Sequence, residues 1–318
     1  MLRSSTEQKP GRRVVSSRTQ REWIDALVFL APQLIGLVVF AGGPLLMSLW
    51  YSFSHWNLVA PSPTWVGLDN WKYLFRDPRI QKVLFNTIKF ICIHVPSFLL
   101  GSFALTLLLN RIQRGVSVLR ALFFLPWIMS SIAVGVTWRW MFNSRSGPVT
   151  QVIRVFTGYS PNLLLDERYA MAAIAIVATW QLLGYGMTFF TAGLTSIPME
   201  LYESAKIDGA TYMQQTRYIT LPLLSPTTLF LAVTSLIGAF QCFDLVVAMT
   251  GDLTNVAPGG PGGSTRTIVL YLYNQMFEYS ETYSGLGYAA VIAWVLALLI
   301  FAVTFIQWKL SKRWVYSD

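Results

Sequence analysis

The sequence predicts an all-α, polytopic membrane protein with six transmembrane helices. Hydrophobic residues make up 54% of the 318 positions and charged residues 12%, whereas soluble domains carry about 25% charged residues. The apolar residues form runs that are long enough to cross a hydrocarbon core of about 30 Å. With 12 Trp and 14 Tyr, the chain can also supply the aromatic belts found at membrane interfaces.

The net charge of +9 fits a membrane topology better than a nucleic-acid partner. Lys and Arg lie in the tails and loops that flank the apolar runs, and no basic stripe with interleaved aromatic residues is present. Cys92 and Cys242 lie inside apolar runs, so we expect buried thiols and neither a disulfide nor a metal site. His55 and His94 are isolated, and we expect interfacial and packed positions, respectively.

The chain begins with a basic tail, a first span and an outer loop. Residues 1–24 form the tail and show no cleavage site, so we expect the first span, 25–53, to be retained. Pro32, Gly42, Gly43 and Pro44 are expected to bend that span. The loop 54–82 is rich in Pro and Trp and includes the turn Arg76–Asp77–Pro78, which predicts a compact, partly ordered extracytoplasmic segment.

Five more spans form a core domain at 83–310, followed by a tail at 311–318. Pro222 and Pro226 fall in the first turns of the fifth span, where proline costs little. The loop 143–168 contains a short amphipathic segment at 149–156, and the Gly- and Pro-rich stretch 250–264 is expected to be irregular. The spans are expected at 83–109, 119–142, 169–194, 221–249 and 286–308.

Lys and Arg predict the orientation. With six spans, both tails, the 110–120 loop and the segment 196–222 share one side, which carries more Lys and Arg than the other. That side should face the cytoplasm. Lys89 and Arg139 lie near the outer ends of spans, and we expect both to reach the outer interface.

The segment 196–222 is mixed in character although it lies between two long apolar runs. Pro198 suits the first turn of a helix, and Ser196 is a candidate cap. Three acidic residues alternate with small and apolar ones, and Gly209 then tolerates a positive φ. We predict two short helices that meet near Gly209 at a membrane surface. The residues of the two faces are Glu200, Glu203 and Asp208, and Leu201, Ala205, Ile207 and Ala210.

Glu-x-Ala-x-x-Asp-Gly-Ala at 203–210, followed by Ile-x-Leu-Pro at 219–222, closely resembles the signature loop of permease subunits of ATP-binding-cassette (ABC) importers. The resemblance implies the type I ABC importer permease fold and a coupling helix that docks on a cytoplasmic ATPase. It assigns that docking to Glu200, Glu203, Ala205, Asp208, Gly209 and Ala210. Ser204 replaces the usual Ala, and Thr216 replaces the Phe common in sugar transporters, which removes one expected apolar docking contact. On spacing alone, an ordinary cytoplasmic loop with helical propensity is the alternative.

The sequence contains no phosphate-binding Gly-x-x-x-x-Gly-Lys-Ser/Thr pattern and no cluster typical of a catalytic or metal site. We therefore expect no enzyme activity and no cofactor in this chain. The resemblance implies that partner ATPase subunits bind ATP and Mg²⁺. An ion-coupled secondary carrier usually needs an ionisable residue near mid-span, and the single candidate, Asp244, lies toward the outer end of the fifth span.

Polar and aromatic residues in the outer halves of the fourth and fifth spans suggest a substrate path. Aromatic faces stack on sugar C–H surfaces, and amides and carboxylates bind hydroxyls. Helix packing is the alternative role, for which membrane bundles use Gln, Thr and glycines such as Gly184, Gly186 and Gly238. The candidates are Trp180, Gln181, Tyr185, Phe240, Gln241 and Asp244.

Further motifs resemble the carbohydrate branch of these permeases, the maltose and glycerol-phosphate type. They are Leu-Phe-Phe-Leu-Pro at 122–126, Trp-Arg-Trp-Met-Phe-Asn at 138–143, Phe-Asp at 243–244 and Gly-Gly-Pro at 259–261. The residues between Gly251 and Gly259 lengthen the family's shorter outer loop.

This second resemblance implies a carbohydrate importer in the cytoplasmic membrane of a bacterium or archaeon. The implied partners are a second homologous permease, two ATPase subunits, an extracytoplasmic sugar-binding protein and the lipid bilayer, without nucleic acid. A secondary carrier, an ABC permease for another polar solute and a membrane-embedded enzyme or scaffold are the alternatives.

Overall fold

The computed structural model describes residues 17–56, 61–251, 258–277 and 285–312. The chain divides into two compact units, 1–50 and 51–318. In the described part, four helices are long and apolar enough to cross a membrane, or six if each of two bent helix pairs forms one span. The predicted all-α class is confirmed, and two of the expected spans are bent helix pairs.

The first span is one continuous helical segment. It consists of α1 (Ser17–Leu37), a π-helical turn (Val38–Gly42) and α2 (Gly43–Ser52). The helix begins at Ser17, eight residues before the expected start of the span at residue 25, because residues 17–24 contain no helix breaker. Pro32 lies inside α1 without ending it, and the irregularity is confined to the π-helical turn before Gly43.

The outer loop is ordered where it is described. A two-stranded antiparallel sheet joins β1 (Ser54–His55) to β2 (Thr64–Trp65), and α3 (Asp69–Arg76) follows. Helix α4 (Pro78–Asn110) begins earlier than expected, so residues 78–82 belong to it rather than to the loop. Asp77 caps α4 by accepting a 3.0 Å hydrogen bond from the Arg79 amide, and Pro78 occupies the first turn.

Helix α4 packs in parallel against the helix of the fourth span. Helices α5 (Val116–Ile128), α6 (Ser131–Met141), α7 (Pro148–Thr157) and α8 (Ala170–Ser196) follow α4, and α7 is the predicted amphipathic segment. His94 Nδ1 lies 3.0 Å from Thr179 Oγ1, and Thr106 Oγ1 donates to the Met187 carbonyl at 3.2 Å. A Cβ at Gly184 would meet the Phe123 backbone, so this glycine permits close packing of α8 on α5.

The third span, expected at 119–142, consists of two helices that meet at a sharp bend. The axes of α5 and α6 differ by 99°, and the break lies at Met129 and Ser130. Pro126 lies in the last turn of α5. Because proline lacks an N–H and crowds the preceding turn, it favours the end of the helix there.

The fifth span, expected at 221–249, is bent near its start and broken near its end. Two prolines, Pro222 and Pro226, flank a 65° bend. Because Pro226 has no backbone N–H, it cannot form the helical hydrogen bond to the Pro222 carbonyl. Residues 241–243 are not helical, and Thr267 Oγ1 binds the freed Cys242 carbonyl at 3.0 Å. The elements are α9 (Met199–Ile207), α10 (Tyr212–Gln215), a π-helical turn (Thr216–Thr220), α11 (Leu221–Leu223), α12 (Ser225–Phe240) and α13 (Asp244–Thr250).

The final part contains a helix that the sequence did not predict, α14 (Ile268–Phe277), before α15 (Leu286–Ser311). The stretch 258–264 is irregular except for a 3₁₀ turn, Pro261–Gly263, while 252–257 and 313–318 lie outside the described residues. Tyr271 of α14 and Tyr288 of α15 are buried in a core shared with α3 and α4. Helix α15 ends three residues later than expected.

Contacts within the second unit define two opposite faces. The start of α4 lies beside the loop after α13, since Lys82 Nζ donates to the Gly262 carbonyl at 2.6 Å. The end of α4 lies beside α10, where the Arg111 guanidinium is 4.2 Å from the centre of the Tyr212 ring. We call residues 258–267 the clasp and residues 199–215 the corner. The clasp therefore lies at one end of α4 and the corner at the other.

Candidate functional site

The corner turns the chain sharply between α9 and α10. Gly209 has φ of +80°, which suits the predicted joint. The last turn of α9 is closed by backbone hydrogen bonds, from the amide of Asp208 to the Ser204 carbonyl at 3.0 Å and from Ala210 to Ala205 at 2.8 Å. The corner is therefore a defined helix end and not an irregular connection.

Side chains brace the second half of the corner. Thr211 and Gln214 form a capping box, in which the Thr211 amide donates to Gln214 Oε1 at 2.7 Å. Gln215 Nε2 donates to the Ala210 carbonyl at 2.9 Å, and Tyr202 OH lies 3.0 Å from Thr220 Oγ1. Because most of these bonds join residues within the corner, it maintains its own shape, and Tyr202 also ties α9 to the π-helical turn that follows α10.

The predicted start of the corner needs a correction. Helix α9 begins at Met199, so Pro198 precedes the first turn, and Ser196 is the last residue of α8. The Ser196 hydroxyl donates to the Gly193 carbonyl at 2.7 Å and does not cap α9. Helix α8 simply continues to Ser196, two residues before the proline.

Most of the predicted docking residues lie on the corner's surface. Glu200, Glu203, Asp208 and Gly209 are exposed, whereas Ala205 and Ala210 are half-buried at the turn. Ile207 and Met213, which are 87% and 72% exposed, extend the surface with apolar side chains. Met213 was missed, since nothing in its local sequence shows that it faces outward. Thr216 stands where sugar transporters commonly have Phe, but it is buried, so this difference does not change the exposed surface of the corner.

A cavity of about 730 Å³ lies between the helices on the clasp side of the corner, a volume typical of small-molecule sites. Its walls come from α4, α5, α8 and α12, the first residues of α6 and α13, and the break between α12 and α13. The lining residues with aromatic or polar side chains are Phe90, His94, Phe98, Trp127, Ser131, Gln181, Tyr185, Thr234, Ser235, Gln241, Phe243 and Asp244.

The cavity brings together four of the six predicted substrate-path residues, Gln181, Tyr185, Gln241 and Asp244. The other two lie elsewhere. Trp180 packs edge-on against Trp138 with ring centres 5.3 Å apart, because it is rotated away from the Gln181 face of α8. Phe240 is the last residue of α12 and is buried in the core with Leu236.

Aromatic rings and unengaged polar groups share the cavity wall. The Trp127 and Tyr185 rings stack with centres 5.2 Å apart, and His94 stacks on Phe90 at 5.3 Å. The side chains of Tyr185, Gln241 and Asp244 make no hydrogen bond to the described residues. These three groups are therefore available to a polar ligand.

Both cysteines differ from the expected buried positions. Cys92 is exposed on α4, and Cys242 is half-buried and lines the cavity, because the helix break leaves its side chain at the opening between α12 and α13. Arg139 donates a hydrogen bond to the Gly251 carbonyl and so binds the loop after α13. Among the described residues, no cluster of His, Cys, Asp or Glu is suited to a metal ion.

Comparisons with known proteins agree with this architecture. Residues 74–316 match the family model described as "Binding-protein-dependent transport system inner membrane component". The chain is 32% identical to the lactose transport system permease protein LacF of Rhizobium radiobacter, over 91% of this chain and 95% of LacF. It is 33% identical to the sn-glycerol-3-phosphate transport system permease protein UgpA of Escherichia coli, over 90% and 93%.

A solved structure has the same fold. A chain of a bacterial ABC transporter that imports the acidic polysaccharide alginate superimposes with a TM-score of 0.78, covering 93% of this chain and 97% of that one at 20% identity. The family model, which matches residues 74–316, spans the corner and the cavity together. The chain therefore belongs to the family of inner membrane components of binding-protein-dependent transport systems.

Proposed function

We propose that this chain is the permease subunit of a carbohydrate importer and that its corner docks on a cytoplasmic ATPase subunit. According to this proposal, the cavity forms part of the sugar's path, and the protein works by alternating access. Both termini and the corner face the cytoplasm, in keeping with the distribution of Lys and Arg.

The observation that carries this proposal is the chain's connectivity. The corner is the link between α8, which ends at Ser196, and α12, which begins at Ser225. Both helices line the cavity, α8 with Gln181 and Tyr185 and α12 with Thr234. A force that rotates the corner therefore acts on two of the cavity's walls.

The corner's surface supports a protein partner. Exposed apolar side chains such as Ile207 and Met213 are unfavourable in water and are typical of contact sites when polar residues surround them. Glu200, Glu203 and Asp208 provide that polar rim. Because the sequence has no phosphate-binding loop, a separate ATPase subunit would supply the ATP and Mg²⁺ sites.

The cavity supports a carbohydrate. Stacked aromatic rings can pack on the C–H faces of a sugar, and the unengaged groups of Tyr185, Gln241 and Asp244 can bind its hydroxyls. The relatives named for lactose and sn-glycerol-3-phosphate handle polyhydroxylated solutes. The remaining subunits would be a second homologous permease, a second ATPase and an extracytoplasmic sugar-binding protein.

A pair of matched substitutions tests the docking role. Ile207→Asp places a charge at the corner's apolar tip, and Val155→Asp does the same on α7, where Val155 is 81% exposed. We expect Ile207→Asp to lower the amount of co-purified ATPase at least tenfold, since burying an unpaired charge at an interface costs several kcal/mol. Val155→Asp should leave it unchanged.

The measurements are ATP hydrolysis by the purified complex and identification of its phosphate-binding-loop peptide by mass spectrometry. Sugar uptake by cells that carry each variant provides a second readout. Equal ATPase recovery and uptake with Ile207→Asp and the wild-type chain would refute docking at this surface.

A further inference from the structure

We infer that His94 of α4 is a further binding residue of the cavity, a neutral imidazole whose Nε2 accepts a hydrogen bond from a hydroxyl of the solute. This inference rests on the proposed function and adds a third wall to the same site, since the earlier candidates all come from the fourth and fifth spans. His94 lies outside the sequence motifs that carry the family resemblance, so the resemblance assigns it no role.

Helix α4 presents three aromatic rings to the cavity. Phe90, His94 and Phe98 are spaced four residues apart, which places them on one face of the helix. The imidazole lies between the two phenyl rings, with ring centres 5.3 and 6.1 Å away and planes tilted by 16° and 20°. Of the described α4 residues that line the cavity, His94 alone has a polar side chain. Stacking therefore fixes the plane of the polar group that this wall offers.

Thr179 of α8 determines which ring nitrogen of His94 carries the hydrogen. Thr179 Oγ1 donates to the Ala175 carbonyl at 2.8 Å, so its hydroxyl hydrogen is already used. The same Oγ1 lies 3.0 Å from His94 Nδ1 and can only accept there. The Ala175 carbonyl, which also lies close to the imidazole, is likewise an acceptor. The neutral ring therefore carries its hydrogen on Nδ1, and Nε2 has a free lone pair.

Nε2 of His94 opens to the cavity. Because the two ring nitrogens point in divergent directions, Nε2 faces away from α8 when Nδ1 faces Thr179. Within the described part of the chain Nε2 has no hydrogen-bond partner, yet it is not one of the polar atoms that are sealed from solvent. Only 5% of His94 is exposed, and His94 lines the cavity, so this small exposed area belongs to the cavity wall.

The lone pair on Nε2 complements the other polar groups of the cavity. The Tyr185 hydroxyl and the Gln241 amide can both donate and accept, whereas a neutral His94 can only accept through Nε2. A sugar hydroxyl can accept from one wall and donate to another. An acceptor that is already held by stacking and by Thr179 also loses little freedom when the solute binds. His94 is therefore suited to fix the orientation of a hydroxyl that reaches the α4 wall.

Three substitutions separate the two edges of the ring. His94→Gln carries an amide to about the position of Nε2, His94→Asn carries one to about the position of Nδ1, and His94→Phe keeps a stacked ring without either nitrogen. We expect the KM for uptake to rise about tenfold in His94→Asn and His94→Phe, because one buried hydrogen bond is lost. In His94→Gln it should change less than about threefold. The maximal rate should change little in all three, since the lost contact is one of binding.

The uptake probes are radiolabelled lactose, arabinotriose and maltotriose. Each variant is assayed with whichever of these the wild-type transporter takes up fastest, and the amount of co-purified ATPase confirms assembly. His55→Gln is the matched control, because it changes the other histidine of the chain, in the outer sheet, and should leave the KM unchanged.

A second pair of substitutions tests Thr179 as a positioning residue. Thr179→Val removes the acceptor that holds the hydrogen on Nδ1, and Thr179→Ser retains it. Thr179→Val should raise the KM severalfold in the wild-type chain and have no effect when combined with His94→Phe. Thr179→Ser should be close to wild type. Equal effects of Thr179→Val with and without His94→Phe would contradict this role.

Solid-state nitrogen NMR tests the state of the ring without any solute. The sequence contains two histidines, so a chain with isotope-labelled histidine and His55→Gln gives a signal from His94 alone. The labelled chain is assembled with its unlabelled partners in lipid. We expect a neutral ring with its hydrogen on Nδ1, and a shift of the Nε2 signal when the transported sugar is added.

Three results would overturn the inference. They are a hydrogen on Nε2 in the assembled transporter, a KM in His94→Phe equal to that of the wild type, and equal rises in His94→Gln and His94→Asn, which would assign the effect to packing. Uptake of none of the probes by a wild-type transporter that retains its ATPase would instead refute the proposed function. Normal uptake with the hydrogen on Nε2 would refute the inference alone.

Discussion

The corner and the clasp are both short segments that depend on left-handed glycines, yet they differ in how strongly they are tied to the rest of the fold. Gly209 in the corner and Gly259, Gly260, Gly262 and Gly263 in the clasp all have positive φ. The corner is braced mainly by neighbouring residues, through its helix end and capping box. The clasp has local turns as well, but it is also tied to distant residues, since Lys82 donates to the Gly262 carbonyl and Asn86 Nδ2 donates to the Gly263 carbonyl at 2.8 Å.

This difference separates a segment that can transmit motion from one that holds the fold together. A self-braced corner can rotate as a unit and remain folded while its attachments at α8 and α12 move. The clasp cannot shift without breaking its bonds to α4. We therefore expect substitutions in the corner to alter coupling to a partner and substitutions on the clasp side to alter the stability of the chain.

The largest expected effect comes from Gly209→Val. A β-branched residue at φ of +80° is strained by about 1–3 kcal/mol. A Cβ there meets no atom of this chain within 4 Å, so any further obstruction would come from a docked partner. We expect ATP-driven uptake to be abolished while the amount of protein in the membrane remains normal, measured by transport assay and quantitative immunoblot.

Gly158→Val is the matched control. Gly158 ends α7 with φ of +72°, and a Cβ there also meets no atom within 4 Å. Its backbone strain should equal that of Gly209→Val, but it lies on α7 and not in the corner. Similar loss of uptake in the two variants would attribute the effect to strain alone and remove the distinction between the corner and other helix ends.

The second effect is on stability, at a buried carboxylate on the clasp side. Asp77 Oδ2 accepts hydrogen bonds from Tyr271 OH and from Tyr288 OH, the latter at 2.8 Å, and Arg79 Nε lies 3.1 Å from Oδ1. Asp77→Ala would leave two buried hydroxyls unpaired, at about 1–3 kcal/mol each. We expect a clear fall in the thermal unfolding temperature in detergent.

Asp208→Ala, at the exposed end of α9, provides the contrasting variant, and its unfolding temperature should change little.

The pH dependence of stability tests the role of Asp77 further. Burial opposes ionisation of Asp77, but the hydrogen bonds from Tyr271, Arg79 and Tyr288 outweigh it and lower its pKa. Its stabilising contribution should therefore be complete above the ordinary Asp pKa of about 4 and disappear as the pH falls below it.

Asp77→Asn should lack this part of the acid sensitivity. If Asp77→Ala and Asp208→Ala destabilised the chain equally, the clasp side would not be the more important region for the stability of the fold.

The sequence predicted those features that depend on local composition or on a fixed spacing. Apolar runs located the spans, and the Asp208–Gly209 pair located the corner's joint. The break at 241–243 was missed because Cys242 and Phe243 continue the apolar composition, and hydropathy does not report a lost backbone hydrogen bond. The freed Cys242 carbonyl is satisfied by Thr267, which is distant in sequence.

The cavity shows the same limit. Gln181 and Tyr185 were correctly placed together because they are four residues apart on one helix. Trp180 and Phe240 were assigned by proximity to them in sequence, and tertiary packing placed each against a different neighbour. Trp127 was missed as a wall residue because its position depends on the 99° bend between α5 and α6.

The smallest expected effect is that of Glu203→Lys, which sharpens the account of the corner as a docking surface. Glu203 is exposed on α9 and lies on the corner's rim rather than at its apolar tip. Rim charges mainly change the rate of association, and salt screens them over about 10 Å. Reversing this charge should therefore slow association with the ATPase severalfold at low salt and have little effect at about 1 M salt.

Glu167→Lys makes the same change of net charge on the clasp side, so it should not alter association at either salt concentration. Surface-plasmon measurements with the purified ATPase, at both salt concentrations, distinguish the two variants. A salt-independent loss in Glu203→Lys would instead mean that the carboxylate is buried in the complex, and the apolar tip at Ile207 would then lie within a larger buried contact that includes α9.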